Sequence, residues 1–321
     1  MSPGWSLSRW APDTWAARIR SSRSSPRAGS RRFVSNRLIA ALLALLALAG
    51  CARAPEVHPA LWLVEGPKGE KAWLFGTIHA LPAPVEWRSA KVDAALKAAD
   101  RLVLEVADIT DDAKTAKAFA DLAQSPGLPP LEARVQPALR DDLAEDLAAG
   151  GLKPGSLDPY ETWAAALMLQ NAAAAAGDND SGNGIDRAIA LAWRGPIEEF
   201  EGARAQLAIF DALPEAEQRA LLDAVLIEAD GREVQLRDLE QAWATGNMDL
   251  IARVTDEDFA KAPALREELL VGRNRAWLGK LEAMLAGGAR PFVAVGAAHL
   301  AGRDGLPAML AARGWKVTRL Q

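Results

Sequence analysis

Two histidines of this chain stand in the same local frame. Gly76-Thr77-Ile78-His79 and Gly296-Ala297-Ala298-His299 are both G-x-x-H, and each directly follows a short apolar run, Ala72–Phe75 in one case and Pro291–Val295 in the other. The glycine permits a sharp turn off a strand, and the histidine three residues on is then held over the strand's end. The chain has three histidines, so this pair uses two of them. A third apolar run, Arg101–Val106, has Glu105 at its end, where a buried carboxylate must find a cation, a metal or a proton. Two imidazoles and a carboxylate are an accepted ligand set for a divalent metal with an open coordination position. Each histidine taken singly is also compatible with a hydrogen-bonded structural residue.

Other chemistries lack local support. There is no G-x-S-x-G elbow, no H-E-x-x-H and no phosphate-binding G-x-x-x-x-G-K, and Gly182-Asn183-Gly184 lacks the third glycine of a dinucleotide turn. A single cysteine excludes a disulfide framework and a cysteine-rich zinc site. The net charge is -5, but residues 1–50 hold eight arginines and one acid, so residues 51–321 carry -12. An acidic globule of this kind excludes nucleic acid as the expected partner.

The elements that must position these residues alternate between two regimes. Leu61–Val64 and Ala72–Phe75, joined by the turn formers of Glu65–Glu70, predict a β-hairpin. Ser89–Asp100 has helical periodicity and leads into the Arg101–Val106 strand. Pro291–Val295, Leu306–Arg313 and Gly314–Leu320 read as strand, helix and strand. Between them, from about 111 to 286, nearly every segment is helical: Ala113–Gln124, Ala138–Ala149, Leu157–Ala176, Gly184–Trp193, Ala203–Leu213, Glu215–Ala229, Val234–Ala244 and Arg266–Leu285, with one strand at Ile197–Phe200. The expected class is α/β, a central sheet of N- and C-terminal strands enclosing a large helical insertion. Gly177–Gly182 is a mobile loop by composition.

The N-terminus reads as an address. Arg31-Arg32 and Arg37 precede an apolar run, Leu38–Ala49, that is shorter than the roughly 20 residues of a membrane-spanning helix. Leu48-Ala49-Gly50-Cys51 resembles a bacterial lipobox, in which the cysteine is acylated and becomes the mature N-terminus. Residues 1–50 are therefore read as a signal peptide with a mis-called N-terminal extension, 51–60 as a lipidated tether, and 61–321 as the folded domain. The expected partner is a membrane, held through lipid on Cys51. Ala52, not aspartate, follows the cysteine, which implies the outer membrane facing the periplasm.

Trp62-Leu63-Val64, Leu74–His79, Gly184-Ile185-Asp186, Arg273–Trp277, Val295–Leu300 and Asp304-Gly305-Leu306 occur in an order and at separations that resemble the TraB/GumN family. The wider superfamily includes Tiki proteases, erythromycin esterase-like hydrolases and ChaN-like haem-binding lipoproteins. Similarity to Tiki implies a metal-dependent protease, with manganese or cobalt as the ion, His79, Glu105 and His299 as its ligands and a peptide or protein as substrate. The family's Arg-Asn pair falls on Arg273-Asn274, which the resemblance assigns to orienting a carbonyl or a developing oxyanion. Ala298 stands where the family usually has glycine, and Gly272 where an acid often precedes the Arg-Asn pair. The resemblance also leaves open a haem- or iron-binding lipoprotein and a non-catalytic envelope binding module.

Asp186 is either an active-site acid or a partner for the free amides of a helix start. Tyr160, the single tyrosine, is a candidate haem ligand or an amphipathic residue at a helix start. His58 is expected to be solvated, Trp163, Trp193, Trp243 and Trp277 to be helical core residues, and Asp141-Asp142, Glu198-Glu199 and Glu267-Glu268 to be solvated faces.

Overall fold

The apolar runs from the two ends of the chain pair with each other in one sheet. A computed structural model describes residues 55–176, 180–227, 232–260 and 262–321. Strands β1 (Leu61–Glu65) and β2 (Lys71–Thr77) form the expected hairpin, with Leu61 opposite Phe75 and Glu65 opposite Lys71. Its turn closes through Gly69, whose φ of 86° lies in the left-handed region. Helix α1 (Ala90–Ala98) is capped by the Ser89 hydroxyl, which accepts from the Val92 amide, and crosses over to β3 (Arg101–Leu104). Strand β4 (Ile197–Glu199) lies inside the helix-rich middle, and β5 (Pro291–Gly296) and β6 (Lys316–Arg319) close the chain.

The six-stranded order is β4-β3-β5-β2-β1-β6. Strands β4, β3, β5 and β2 are mutually parallel neighbours, while β1 runs against both β2 and β6. The carboxyl ends of four adjacent strands therefore share one edge, the place where loops of an open α/β sheet converge on a ligand. Strands β2, β3 and β5 are apolar almost throughout because both faces of the sheet are covered. On one face Trp73, Phe75, Leu102, Leu104, Phe292 and Ala294 are buried; on the other, Leu74, Val103, Val293 and Val295 are. The alternation is the period of two that a pleated strand imposes.

The middle holds α2 (Asp112–Leu122), α3 (Arg140–Ala149), α4 (Thr162–Ala176), α5 (Ile185–Ala192), α6 (Ala203–Asp211), α7 (Glu215–Ile227), α8 (Arg232–Ala244) and α9 (Met248–Asp258). It is not one block. Residues of α3, α4 and α7 form a core away from the sheet, whereas Ile185 and Ile189 of α5 and Trp243 of α8 pack on the sheet itself. Helix α9 was not anticipated, although Asn247 caps it by accepting from Leu250 and its buried Ile251 and Val254 keep helical spacing. Last come α10 (Pro263–Arg266), a π-helical turn at Glu267–Val271 and α11 (Gly272–Ala286), continuous with one another, and then α12 (Leu306–Ala312).

Trp163, Trp243 and Trp277 are buried as expected, but Trp193 ends α5 half-exposed, its indole donating to Pro196 O. Part of the expected tether packs on the domain: Val57 and Ala60 are buried, and His58 is exposed with its amide bonded to Ala244 O. Cys51 and residues 177–179 of the expected mobile loop lie outside the described residues. Among the described residues no helix is long and apolar enough to cross a membrane.

One contact fixes the loop after β2. The amide of Ile185 donates to Ile78 O, Leu81 and Asp180 exchange backbone bonds, and Gly184 lies so close to His79 O that an added Cβ would sit 2.3 Å from it. Gly184→Ala should therefore force the His79 loop and the start of α5 apart, at a cost of about 1–3 kcal/mol typical of overpacking. Urea unfolding of the variant against the parent measures it; equal midpoints would mean that this approach constrains nothing.

Candidate functional site

Four strand ends build the site. His79 follows β2, Glu105 follows β3, Glu201 lies just past β4, and His299 lies in the short turn Ala297–Leu300 after β5. Arg273 and Asn274 come from the first turn of α11, immediately after the π-helical turn. Such turns widen a helix locally and are frequent at functional sites. Here the wide turn brings Glu267 O within 2.9 Å of where a Gly272 Cβ would stand, so a side chain at this position would have to push the turn apart. Ala298 lies in the 3₁₀ turn Ala297–Leu300, a right-handed conformation open to any residue.

Both imidazoles are gripped by the same atom. His79 Nδ1 is 2.8 Å from Asp186 Oδ2, and His299 Nδ1 is 2.7 Å from Asn274 Oδ1. Asn274 donates through Nδ2 to His299 O and Asp304 O, so its Oδ1 must accept, and His299 must carry its proton on Nδ1. The lone pair of His299 is then on Nε2. Asp186 likewise requires a proton on His79 Nδ1. Its second oxygen accepts from the Thr77 hydroxyl, and α5 has no side-chain cap, so Asp186 serves the site and not the free amides of the helix.

Three of the site side chains border Gly296. A Cβ built there would lie 3.3 Å from Glu105 Oε1, 3.8 Å from His79 Nε2 and 3.8 Å from His299 Cδ2. Glycine keeps that cradle empty of side chain. Glu105 is buried, with Oε1 accepting from the Gly296 amide at 2.8 Å and Oε2 accepting from Arg273 Nη2 at 2.8 Å and Gln206 Nε2 at 3.3 Å. Burial pushes this carboxyl up, but positive charge at His299, His79 and Arg273 and the Gly296 amide outweigh it and hold the pKa at about 2. Burial depresses His299 to about 4. The Asp186 carboxylate raises His79 to about 9, an attraction that water screens at a side chain 68% exposed.

Glu201 was missed from the sequence, although Ile197–Phe200 was expected as a strand and an acid at its end repeats the logic that singled out Glu105. It takes Arg273 Nε at 3.0 and 3.2 Å, Arg273 Nη2 at 2.9 Å and the Trp277 indole N–H at 2.9 Å. Arg273 Nη1 reaches Leu269 O at 3.1 Å and His299 Nε2 at 3.3 Å. The guanidinium lies 4.7 Å from the centre of the Trp277 ring, whose other neighbours are Phe200 and His299. Arg273 thus has partners on every nitrogen. The role expected of Asn274 toward a carbonyl or oxyanion does not fit its place: it is fully buried and its amide is engaged by His299 and Asp304, so it positions His299.

His58 and Tyr160 lie elsewhere; Tyr160 packs beside Trp163 and Ala164 ahead of α4. Glu198 and Glu267 pair with Arg101 and Arg275, and Glu199 accepts from the Ala107 amide.

Fold and site together define an α/β protein that presents two imidazoles, a carboxylate and an arginine on the carboxyl edge of parallel strands. The chain belongs to the TraB/PrgY/gumN family, whose model matches residues 60–319. It is 32% identical over 253 residues to a protein of Shigella flexneri named "Uncharacterized protein YbaP", covering 76% of this chain and 89% of that relative. The protein of the same name from Escherichia coli (strain K12) is 32% identical over 246 residues, with 74% and 86% covered. No solved structure matches.

The His79–Asp186 pair has a testable pH signature. Because the folded pKa is raised, the pair adds stability fully below the unfolded value near 6.5 and loses it as pH rises through about 9. Asp186→Asn should return His79 toward 6.5 in an NMR titration of its ring protons. The stability difference from the parent should be greatest below pH 6.5 and shrink above 9 to the remainder owed to Thr77. A His79 pKa unchanged by the substitution would remove Asp186 from this role.

Proposed function

We propose that the chain is a metal-dependent hydrolase of peptide-type bonds, held at the cell envelope by lipid on Cys51. The observation that carries the reading is the shared anchoring of His79 and His299 through Nδ1, by Asp186 and Asn274, beside the ionised Glu105. Ligand histidines are oriented in this way by an oxygen on the opposite ring nitrogen, which leaves the other free for a cation.

The donor chemistry fits a divalent ion. Three carboxylates, Glu105, Glu201 and Asp186, face two cations, Arg273 and protonated His79, so the cluster has an excess of negative charge. The donors are not closed on a common point: among the described residues no group of three or more His, Cys, Asp or Glu side chains is arranged to hold an ion. Arg273 stands at both Glu105 Oε2 and His299 Nε2 and must yield at least one of them. His79, Glu105 and His299 would be the ligands, and a bound manganese or cobalt would polarise a carbonyl and acidify water.

The chain's own residues do the rest. Asp186 holds the His79 ring, and Asn274 fixes the His299 tautomer. The Gly296 cradle leaves space for a reacting group. Arg273, once it releases Glu105 or His299, has a donor to offer a substrate oxygen.

Isothermal titration of residues 52–321 with Mn²⁺ should give one site, and His79→Ala and His299→Ala should each weaken it by at least about the tenfold that loss of a ligand's supporting partner costs. Absence of saturable binding to the parent, or unchanged affinity in both variants, would sink the metal reading. For the anchor, Cys51→Ser should release the protein from membranes or leave it unprocessed with its signal attached. Continued processing together with membrane partition after a high-salt wash would show that lipid on Cys51 is not the attachment.

A further inference from the structure

Two acids at the ends of neighbouring parallel strands share one guanidinium, and their shares are unequal. Glu201 receives three hydrogen bonds from Arg273, two from Nε and one from Nη2, whereas Glu105 receives one, from Nη2. A two-sided fork of this kind fixes a guanidinium in its plane, while a single bond does not. Glu201 is itself fixed by the indole of Trp277, a fully buried residue whose ring lies against the guanidinium. Leu269 O holds Arg273 Nη1 from the π-helical turn.

Glu105 is differently placed. Without Arg273 it keeps the Gly296 amide on Oε1 and Gln206 on Oε2, and without Glu105 the arginine keeps Glu201, Leu269 O and the Trp277 ring. Removing Glu201 leaves the arginine no carboxylate but Glu105 and leaves the buried indole N–H without its acceptor.

We propose that Glu201 is the positioning residue of Arg273, and that the Arg273–Glu105 contact is the exchangeable one, through which Glu105 Oε2 is handed to a cation while the arginine stays in place. The handover rests on the hydrolase reading above; the anchoring does not. The missing fork in a Glu201 variant would make Arg273 follow Glu105 and compete for it.

The test uses Glu201→Gln, Glu105→Gln and Arg273→Gln in residues 52–321. In ¹⁵N spectra the Arg273 Nε–H, which bonds only to Glu201, should stay shifted and protected from exchange in Glu105→Gln and lose both properties in Glu201→Gln. Loss of the protected signal in Glu105→Gln, or its survival in Glu201→Gln, overturns the anchoring; the first arm holds even if Glu201→Gln does not fold. Mn²⁺ titration reads the handover. Arg273→Gln should raise affinity by about tenfold in the Glu201→Gln background and by less than about threefold in the parent, a coupling of the size seen between groups in one network. Equal gains in both backgrounds would mean that only net charge matters and would overturn the handover. A parent that binds no Mn²⁺ would defeat the metal reading and the handover together, with the anchoring still decided by the spectra.

Discussion

The site depends on one buried cation. Glu105 and Glu201 emerge side by side from β3 and β4, and each is nearly out of solvent. Two carboxylates that share one guanidinium repel each other, and burial by itself would raise the pKa of Glu105. Arg273 lies between them, with its face on Trp277, and adds its charge to that of His299 and His79 in keeping Glu105 ionised. The arginine can reach that position because the helix carrying it has a π-helical turn just before it, and because Gly272 leaves the turn room to pass Glu267 O. Loss of the guanidinium would leave Glu105 with the Gly296 amide and Gln206, and Glu201 with the Trp277 indole, but neither with its ion pair, a change that costs about 3–5 kcal/mol when one partner of a buried ion pair is removed.

The rest of the architecture serves the same edge. Parallel β2, β3, β4 and β5 all deliver their carboxyl ends to it, and the segments that follow are short: two residues from Thr77 to His79, one from Leu104 to Glu105, three from Gly296 to His299. Short reach from a rigid sheet leaves little freedom to the side chains. What freedom remains is removed by elements distant in sequence, Asp186 from α5 for His79 and Asn274 from α11 for His299. The nominal insertion therefore belongs to the site, since α5, α6 and α11 supply Asp186, Gln206, Arg273 and Asn274.

The strands and both G-x-x-H turns were legible in the sequence because continuous apolar runs and glycine-led turns are local signals. Glu105 was legible for the same reason, as an acid ending such a run. Glu201 obeyed the same rule but followed a short, largely polar strand, Ile197-Glu198-Glu199, whose acids resemble a solvated face. Asp186 stayed ambiguous because an acid in a first helical turn is also what a helix dipole favours, and only its distance to His79 separates the two roles. Asn274 was placed correctly in the chain and given the wrong work, since nothing local says that its amide is buried against His299. Partnerships between segments more than 100 residues apart, such as Arg273 with Glu105, are tertiary facts with no local trace.

The electrostatics limit what the site does unaided. Asp186 raises the pKa of His79 and so favours its protonated form, which is an acid and not a base. Glu105 at about 2 and His299 at about 4 are unprotonated at neutral pH but are weak bases for that very reason. Water, with a pKa near 15.7, gives up a proton to such groups only if something first makes it more acidic, which a bound divalent ion does by bringing that value to about 7. The same ion would offset the excess negative charge, and it would draw the proton from His79 by competing for Nε2. A cation would leave Glu105 and His299 no stronger as bases; what it would change is the acidity of the water, and its entry would have to overcome the Arg273 contact with Glu105.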